Sequence, residues 1–360
     1  MNYSRDIYEL FIEYKPSSLI GRLKIKVDYY EIDGAFIITT VTDKVESNSY
    51  VASPYSLIID YSEDELVKIE SKIQKAFSYG LIKSFASFLH FSKLDKAQTI
   101  NNYLLSTNFF TKSWEGLDIK LLEKKAKERY PNHAMIIRSV NKVQNAKLFA
   151  NLKRNGWLPI TSRQVYIFDS KERWEQCHNA KIDKKLLNST RYFFHKIELE
   201  NSEAFEEAER LYNLLYLKKY SQYNIHFKAK YLQLLVSRGL LNLYLLHDEV
   251  AQKKVGVVGM TLEDGVVTVP IVGYETSYPQ KEALYRRLIA FALEYAFEKE
   301  VLLNLSSGAS EFKKLRGARA ELEYMMVKID HLAFRQKIGW RLIAHLSQWF
   351  YTPLLKRLKL

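Results

Sequence analysis

The stretch Val301–Asp330 constrains the fold of this chain more than any other. An apolar run that begins at Val301 predicts a strand, and it leads into the turn Ser306-Ser307-Gly308. A short basic helix is predicted over Glu311–Ala318, and a second strand over Leu322–Ile329. These elements bring a serine-rich turn and the N–H groups of a helix start to one point, where anionic ligands bind readily. The segment therefore predicts a binding site at this turn.

Bulk composition limits the number of domains and the kinds of partner. A chain of 360 residues is too long for one ordinary core and predicts two domains of roughly 150–200 residues each. Hydrophobic residues make up 47% of the sequence, which excludes global disorder. The formal net charge of +13 favours anionic partners, namely phosphates, nucleic acid or acidic lipid headgroups.

The cellular compartment is indicated by the cysteine content and the N-terminal residues. Cys177, the one cysteine, excludes an intramolecular disulfide and a cysteine-rich metal site, and it fits a reducing compartment. The first residues are polar and charged, so no secretory signal is visible. No run reaches the roughly 18 apolar residues that a membrane-spanning helix needs. We expect a cytoplasmic protein, soluble or peripheral on the inner face of the membrane.

The first part of the chain has the pattern of mixed α and β structure. Residues 20–60 are rich in β-branched and aromatic residues, with turn signals such as Asp33-Gly34, which predicts strands. Residues 64–90 have helical periodicity. Ser62 or Asp64 is the N-cap candidate of this helix. Its apolar face comprises Leu66, Ile69, Ile73 and Phe77.

The order of strand, helix, glycine and strand seen at 301–330 also occurs earlier in the chain. Ala134–Val140 predicts a strand, Asn145–Arg154 a helix ended by Asn155-Gly156, and Arg163–Asp169 the next strand. Two copies of one fold explain this recurrence, and chance similarity between two βαβ-type units is the alternative.

The second half begins with an extended segment at Tyr192–Leu199 and continues with helices and β-rich runs. Helices are predicted over Ala204–Tyr220, Lys228–Arg238 and Lys281–Glu298. Strands are predicted over Leu241–His247, Val255–Leu262 and Val266–Tyr274. Asp264-Gly265 joins the last two strands in a hairpin, because Asp-Gly suits the positive φ of a tight turn.

This order of elements, together with several strings of residues, resembles the FemAB-like branch of the GNAT acyltransferase superfamily. The strings are Leu284–Leu288, Glu294–Ala296, Ser306–Ala318 and Asn188–Arg191. The likeness covers residues 188–330 and, less specifically, 35–170, where Ser53-Pro54-Tyr55 and Asn145–Asp169 resemble the first domain.

The resemblance implies an α/β protein with α+β mixed sheets, built as two tandem GNAT-like domains with a basic amphipathic C-terminal helix. We predict an N-terminal domain over 1–175, structural or acceptor-binding, and a C-terminal domain over 186–330 that holds the donor and the chemistry. The polar stretch Ser170–Asn188 joins them, and a basic amphipathic tail covers 331–360.

The family's chemistry would be the transfer of an acyl or aminoacyl group to an amine or hydroxyl of an acceptor. The activated donor would be acyl-CoA, acyl-carrier protein or aminoacyl-tRNA, and no cofactor would be tightly bound. The alternatives are a non-catalytic binding protein of the same fold and, with less support, an RNA-binding module. The sequence contains no zinc-type spacing, Walker loop or Gly-x-Ser-x-Gly motif, so no metal site is predicted.

The sequence departs from the family pattern in two places. Ordinary GNAT enzymes carry Arg/Gln-x-x-Gly-x-Gly/Ala where the long helix begins, so that bare N–H groups hold the pyrophosphate of coenzyme A, but Pro279–Tyr285 lacks these glycines. The usual tyrosine acid four residues before the helix-ending glycine is replaced by Leu152 and Lys313. The first departure favours a protein or RNA carrier as donor over acyl-CoA.

Four residues are candidates for the chemistry. Lys313, with Ser306 and Ser307, could bind donor phosphate or stabilise an oxyanion, and the alternative is a solvated helix face with capping serines. Glu275 could accept the proton of the attacking amine, and the alternative is an exposed carboxylate at a strand end.

Further candidates would bind the substrates. Gln280 and Lys281, at the expected start of the long helix, and the neighbouring Tyr274 and Tyr285 would hold the donor. The alternative for Gln280 and Lys281 is an ordinary loop. Arg191 and His195, from the same half of the chain, are the candidates for acceptor binding. The alternative for Arg191 is a surface charge, and the alternative for His195 is a polar residue with ordinary hydrogen-bond partners.

The tail predicts a membrane-surface helix. Residues 331–360 contain no acidic residue. Their basic residues are Arg335, Lys337, Arg341, Lys356, Arg357 and Lys359. Their large apolar residues are Phe334, Ile338, Trp340, Leu342, Ile343, Leu346, Trp349, Phe350 and Leu354. This composition is typical of a helix in the interface of an anionic bilayer. The alternative is an ordinary helix that packs on its domain.

Overall fold

Strands and helices alternate along the computed structural model, which describes residues 2–44, 47–60 and 72–358. The strands are β1 (Ile20–Gly21), β2 (Lys26–Ile32), β3 (Ala35–Thr42), β4 (Ala97–Ile100), β5 (Ala134–Asn141), β6 (Leu158–Phe168), β7 (Tyr192–Lys196), β8 (His226–Phe227), β9 (Asn242–Asp248), β10 (Lys253–Glu263), β11 (Val266–Tyr274), β12 (Leu302–Asn304) and β13 (Arg319–Lys328).

The α-helices are α1 (Tyr3–Glu13), α2 (Pro16–Leu19), α3 (Lys72–Phe91), α4 (Ile119–Arg129), α5 (Ala146–Arg154), α6 (Lys171–Gln176), α7 (His178–Leu187), α8 (Ser202–Asn213), α9 (Ala229–Ser237), α10 (Leu284–Glu298), α11 (Ser310–Lys314), α12 (Phe334–Leu346) and α13 (Thr352–Leu358). Wider π-helical turns cover Ser56–Asp60, Leu214–Tyr220 and Ser347–Tyr351, and 3-10 turns cover Lys112–Glu115 and Gln280–Glu282. No helix among the described residues is both long and apolar enough to span a bilayer.

The described residues fall into two compact units. Unit 1 comprises Met1–Ser162, Ser221–His226 and Leu322–Arg357. Unit 2 comprises Arg163–Tyr220, Phe227–Glu321 and Leu358–Leu360. Each unit thus contains segments from distant parts of the sequence.

The sheet of unit 1 has the strand order β2-β3-β4-β5-β13. β4 and β5 are parallel, and the other neighbouring pairs are antiparallel. Asp33 and Gly34 have φ values of 51° and 79° in the turn between β2 and β3, as expected of a tight hairpin.

Alternate residues of β5 face two separate apolar clusters in unit 1. Ile137 packs in one cluster with residues of α4 and α5, and Ile136 packs in the other with residues of α3 and α12. Because successive side chains of a strand point to opposite faces, helices cover both faces of this sheet. The predicted helix over 64–90 is helical at 72–90, whereas Ser62, Asp64, Leu66, Ile69 and the side chains of Ile73 and Phe77 lie outside the described residues.

The sheet of unit 2 has the strand order β6-β12-β11-β10-β9-β7. β10 and β11 form the predicted hairpin, and Asp264 and Gly265 have φ values of 46° and 78° in its turn. α10 packs on the sheet through its apolar face, in a cluster that includes Leu288 of α10 and Leu303 of β12. The polar stretch Ser170–Asn188 is helical and contains α6 and α7.

Asp95 is a buried carboxylate in unit 1. Its side chain accepts hydrogen bonds from the Ser53 hydroxyl at 2.6 Å and the Tyr55 N–H at 2.7 Å. Burial, with a smaller contribution from the charge of Asp60, raises the pKa of Asp95 from 3.8 to about 6. The Ser53-Pro54-Tyr55 string therefore starts a helical segment whose first N–H groups depend on this carboxyl group.

This pKa predicts a pH dependence of stability. The folded state binds more protons than the unfolded state between pH 3.8 and about 6, so the contribution of Asp95 to the free energy of unfolding falls as pH rises through this window. We expect Asp95→Asn to remove a change of about 2 kcal/mol between the two ends of the window. Urea denaturation of both proteins at several pH values measures it, and parallel pH profiles would contradict the prediction.

Candidate functional site

Two parallel strands of unit 2 pair along only part of their length, and the gap between the chains beyond the pairing is here called the slot. β11 pairs with β12 only over Val266↔Leu302, Val267↔Leu303 and Thr268↔Asn304, whereas β11 itself continues to Tyr274. Beyond this point the β12 chain stays hydrogen-bonded to β6, since the Leu305 N–H donates to the Tyr166 carbonyl and the Tyr166 N–H donates to the Ser306 carbonyl, both at 3.0 Å. The two strands therefore separate, and the residues of β11 after Thr268 have no partner on β12.

A buried lysine holds the turn that follows β12. Lys313 is 3% exposed, and its Nζ donates to the carbonyls of Leu305 at 2.7 Å, Ser306 at 3.4 Å and Ser307 at 2.8 Å. Ser306, Gly308 and Ala309 have positive φ, so the turn has an unusual backbone shape. Burial, with a smaller effect of the Arg163 charge, lowers the pKa of Lys313 to about 7.

The orientation of these carbonyls sets the direction of the N–H groups in the same turn. In a trans peptide the N–H points opposite to the C=O, so the N–H groups of Ser307 and Gly308 point away from the Lys313 ammonium. The Ser306 N–H donates to the Asn304 side chain at 2.9 Å. Within the described residues no acceptor pairs with the N–H groups of Ser307 and Gly308. The turn therefore presents two N–H donors on the side that Lys313 does not occupy.

Aromatic side chains meet where β11, α10 and α11 approach one another. The Tyr285 ring lies 6.2 Å from the Tyr274 ring and 5.0 Å from the Phe312 ring, measured between ring centroids. Burial raises the pKa of Tyr285, and the neighbouring Tyr220 and Tyr274 add to the shift. The two tyrosines predicted to bind the donor are thus brought together, although each comes from a different element.

Glu275 directly follows β11 and is paired with a cation. Its carboxylate contacts Arg210 of α8, which also binds Glu207 at 2.7 Å. Gly273 lies two residues earlier, and a Cβ atom there would come within 2.5 Å of the Leu211 carbonyl and the Tyr212 nitrogen. The end of β11 is therefore in direct backbone contact with the end of α8.

The chain is similar to known proteins in structure and not in sequence. No protein-family model and no curated protein sequence matches the chain. Among solved structures, L-PGS from Bacillus licheniformis is similar over 89% of both chains, with a TM-score of 0.51 and 11% identity. FemX matches over 63% of this chain and 79% of its own, with a TM-score of 0.45 and 11% identity. A tandem GNAT protein from the clavulanic acid biosynthesis pathway covers 66% of this chain and 76% of its own, with a TM-score of 0.40 and 12% identity.

The chain has a tandem GNAT-like fold. The match to L-PGS extends over nearly the whole of both chains. The predicted fold class, including the C-terminal helix, is confirmed. At 11% identity the likeness concerns the fold alone. The domain boundaries at 175, 186 and 330 stay predictions.

The helix start that holds pyrophosphate in ordinary GNAT enzymes is built differently here. The predicted helix start at Lys281 is wrong, since α10 begins at Leu284. Gln280 and Lys281 lie instead in a separate 3-10 turn. Ala283, with φ of 54°, separates this turn from α10. The physical reason is that the left-handed Ala283 interrupts the i→i+4 hydrogen bonds of a continuous helix.

A network of charges occupies this end of the GNAT-like unit. Arg191 donates to both oxygens of Asp248 at 2.8 and 2.7 Å and to Glu282 at 3.1 Å, while the Tyr192 hydroxyl donates to Glu282 at 2.7 Å. The Asp248 side chain is fully buried, and hydrogen bonds from Arg191 hold the pKa of Asp248 well below its usual range. The Arg287 guanidinium stacks on the Tyr192 ring at 4.3 Å. Arg191, predicted to bind an anionic acceptor, is thus bound to carboxylates of its own unit.

A second buried carboxylate joins three elements of unit 2. Asp183 of α7 accepts hydrogen bonds from Arg286 of α10 at 2.7 Å and from Arg316, which follows α11. The Arg316 guanidinium lies 3.6 Å from the centroid of the Phe312 ring. The sequence reasoning missed these residues. A usable signal existed, because Asp183 shares the buried face of an amphipathic helix with Ala180, where an unpaired charge is costly.

His195 lies on the edge strand β7, beside two other potential ligands. His195, His247 and Glu249 each place one ligand atom within 4.8 Å of the others, and this group could hold a metal ion. Sequence spacing did not indicate it, since the three residues come from two antiparallel strands and the turn after them. The acceptor-binding role assigned to His195 stays a prediction.

Proposed function

We propose that this protein is an acyltransferase, moving an acyl or aminoacyl group from an activated donor to an amine or hydroxyl of an acceptor. The observation that carries the proposal is the separation of β11 from β12 after Thr268 and Asn304. A slot between parallel strands leaves peptide groups that can hold an extended donor and its reactive carbonyl. The family resemblance of the sequence and the GNAT-like fold support the same chemistry.

In this proposal catalysis depends on positioning and electrostatic stabilisation. The acceptor nitrogen or oxygen attacks the donor carbonyl, which becomes a tetrahedral oxyanion, and the carrier then leaves with the bonding electron pair. The N–H groups of Ser307 and Gly308 would stabilise the oxyanion, and Lys313 would act through the turn that presents them. Glu275 would accept the acceptor's proton, with Arg210 as its positioning residue.

The start of α10 bears on the choice of donor. In the GNAT pattern this place receives the pyrophosphate of coenzyme A, but here it carries the Glu282 carboxylate and lacks the glycines. Without those glycines no bare N–H groups are offered to a pyrophosphate, so we favour an acyl-carrier protein or an aminoacyl-tRNA over acyl-CoA. The net charge of +13 suits either of these acidic carriers.

On the acceptor side, we infer a membrane-linked amine or hydroxyl and a peripheral location on the inner face of the membrane. The composition of the tail supports this inference, because residues 331–360 combine basic and large apolar side chains without a single acidic one. Unit 1, which includes most of the tail, would serve as the structural or acceptor-binding part.

A donor-consumption assay tests the proposal. The full chain is incubated separately with acyl-CoA, acyl-carrier protein and aminoacyl-tRNA pools, with amine and lipid acceptors present, and mass spectrometry follows the loss of donor and the mass of the product. Donor loss with a matching acylated acceptor supports a transferase. No consumption of any donor would instead favour a non-catalytic binding protein, which the missing tyrosine acid and glycines would permit.

Glu275→Gln tests the assignment of the base. With the donor found in that assay, we expect kcat to fall by about 100-fold or more, because an amide cannot accept the acceptor's proton. Glu207→Gln is the matched control, since Glu207 pairs with the same Arg210 and is not placed at the slot. Equal activities of the two variants would remove Glu275 from the mechanism.

A further inference from the structure

A row of large apolar side chains runs along the exposed side of the C-terminal helix. α12, the π-helical turn and α13 follow one another without a break from Phe334 to Leu358. The exposed members four residues apart, here called the apolar row, are Phe334, Ile338, Leu342, Leu346, Phe350 and Leu354. Phe334, Phe350 and the adjacent Trp349 are 75%, 70% and 67% exposed. Since residues four apart are neighbours on a helix surface, these side chains form a continuous ridge that runs at a slant along the helix.

The opposite side of the same helix is held firmly in unit 1. Trp340 and Ile343 are buried in the cluster that includes residues of α3. The approach to α3 is close, because a Cβ at Gly339 would come within 2.6 Å of the Ser92 Cβ. Ser347 Oγ accepts a hydrogen bond from the Thr161 N–H at 2.7 Å. The helix therefore cannot rotate to bury the apolar row without losing its packing in unit 1.

Positive charges flank the apolar row. The basic residues of the described part of the helix are Arg335, Lys337, Arg341, Lys356 and Arg357. Across the described ranges, none of these five forms an ion pair with a carboxylate. No acidic residue occurs between His331 and the C-terminus. The surface is thus apolar along its centre and cationic at its sides.

We propose that the apolar row lies on an anionic lipid bilayer, with its aromatic side chains at the headgroup level and its basic residues paired with lipid charges. Burial of the apolar side chains and attraction to the anionic surface act in the same direction. Charge complementarity favours a bilayer over a second copy of this chain, because two identical cationic surfaces would repel each other. A nucleic acid would leave the aliphatic side chains of the row in water. This binding rests on and deepens the membrane location inferred above for the acceptor side, and it is measured independently of acyl transfer.

Tryptophan fluorescence gives a local report of this contact. Trp114, Trp157, Trp174 and Trp340 are at most 3% exposed, so Trp349 is the tryptophan that meets solvent. We expect its emission to shift to the blue when vesicles of phosphatidylcholine with phosphatidylglycerol are added to the full chain, as its ring enters the headgroup region. Vesicles of phosphatidylcholine alone should cause a much smaller shift. Trp349→Phe should abolish the shift while the protein still floats with the anionic vesicles.

Paired variants measure the contribution of the row. Phe350→Ser combined with Leu354→Ser should lower the partition coefficient for anionic vesicles about tenfold or more, since two large side chains no longer enter the bilayer. Ile12→Ser combined with Phe91→Ser is the control, because these two apolar side chains are similarly exposed elsewhere in unit 1, at 62% and 63%. The control should float like the wild type.

Three results would overturn the proposal. The first is a wild-type chain that neither floats with anionic vesicles nor shifts its emission. The second is equal flotation of the row variant and the control. The third is a wild-type dimer in light scattering that becomes monomeric in the row variant and binds no vesicles, which would assign the row to a second copy. Each of these leaves the donor-consumption assay unaffected, so failure here is distinguishable from failure of the proposed transfer chemistry.

Discussion

Replacing Gly273 with alanine is expected to destabilise unit 2 by about 3 kcal/mol or more. The added Cβ would lie 2.5 Å from the carbonyl carbon and oxygen of Leu211 and from the nitrogen of Tyr212. These are backbone atoms of α8 and its end, so no side chain can rotate to make room. The helix must move away from the end of β11, in the part of the strand that no longer pairs with β12.

Thermal denaturation and hydrogen exchange measure this effect. We expect a lower unfolding temperature and faster amide exchange in peptides from α8 and β11. Gly116→Ala is the control, because Gly116 has a negative φ and no heavy atom within 4 Å of an added Cβ. If Gly273→Ala and Gly116→Ala were equally stable, the close contact between α8 and β11 would not exist in solution.

Lys313→Met is the second substitution with a large expected effect. Methionine has a similar length but no donor, so the carbonyls of Leu305 and Ser307 would lose their bonds of 2.7 and 2.8 Å in a buried place. Leaving buried acceptors unpaired costs about 1–3 kcal/mol each, so we expect a loss of about 3 kcal/mol in the free energy of unfolding. The turn should also relax, and the proposed transfer activity should fall with it.

Lys314→Met is the matched control for this substitution. Lys314 is the next residue, is partly exposed, and lies 5.7 Å from the centroid of the Tyr166 ring. Loss of that contact should cost about 1 kcal/mol or less. If both variants lost the same stability and activity, Lys313 would be an ordinary helix residue and not the support of the turn.

The pKa of Lys313 adds a pH dependence to the same comparison. The folded-state pKa of about 7 lies below the unfolded value of 10.5, so the folded state binds fewer protons between these values. The free energy of unfolding should therefore rise with pH across this window in the wild type and not in Lys313→Met. A neutral amine still has two N–H groups for the two short bonds, to Leu305 and Ser307.

Several parts of the fold could be predicted from local patterns. The hairpin at Asp264-Gly265 was predicted because few residue pairs accept positive φ at both positions. The end of the helix at Asn155-Gly156 was predicted because glycine readily takes the left-handed conformation that ends many helices. The fold class followed from the order of strands and helices. The start of α10 was misplaced, since the pattern of side chains does not reveal the left-handed backbone of Ala283.

The candidate site was predictable only in part. The sequence pointed to the turn at Ser306–Gly308 and to Lys313, which the structure joins by hydrogen bonds. It did not show that the ammonium group serves carbonyls of the same turn, because a lysine on a short basic helix has the same pattern whether it is exposed or buried. Lys313 proved to be 3% exposed, which identifies it as a support for the turn.

The sequence by itself determined the GNAT-like order of elements, the turns and the composition of the tail, because these depend on residues close together in the chain. Tertiary structure alone decided which charges meet. Asp183 and Arg316 are 133 positions apart and share a hydrogen bond, and Arg191 finds Asp248 across 57 positions. Local periodicity carries no information about such pairs, since their partners are set by how strands and helices pack. The same holds for the apolar row, whose exposure depends on which side of the helix Trp340 fixes in unit 1.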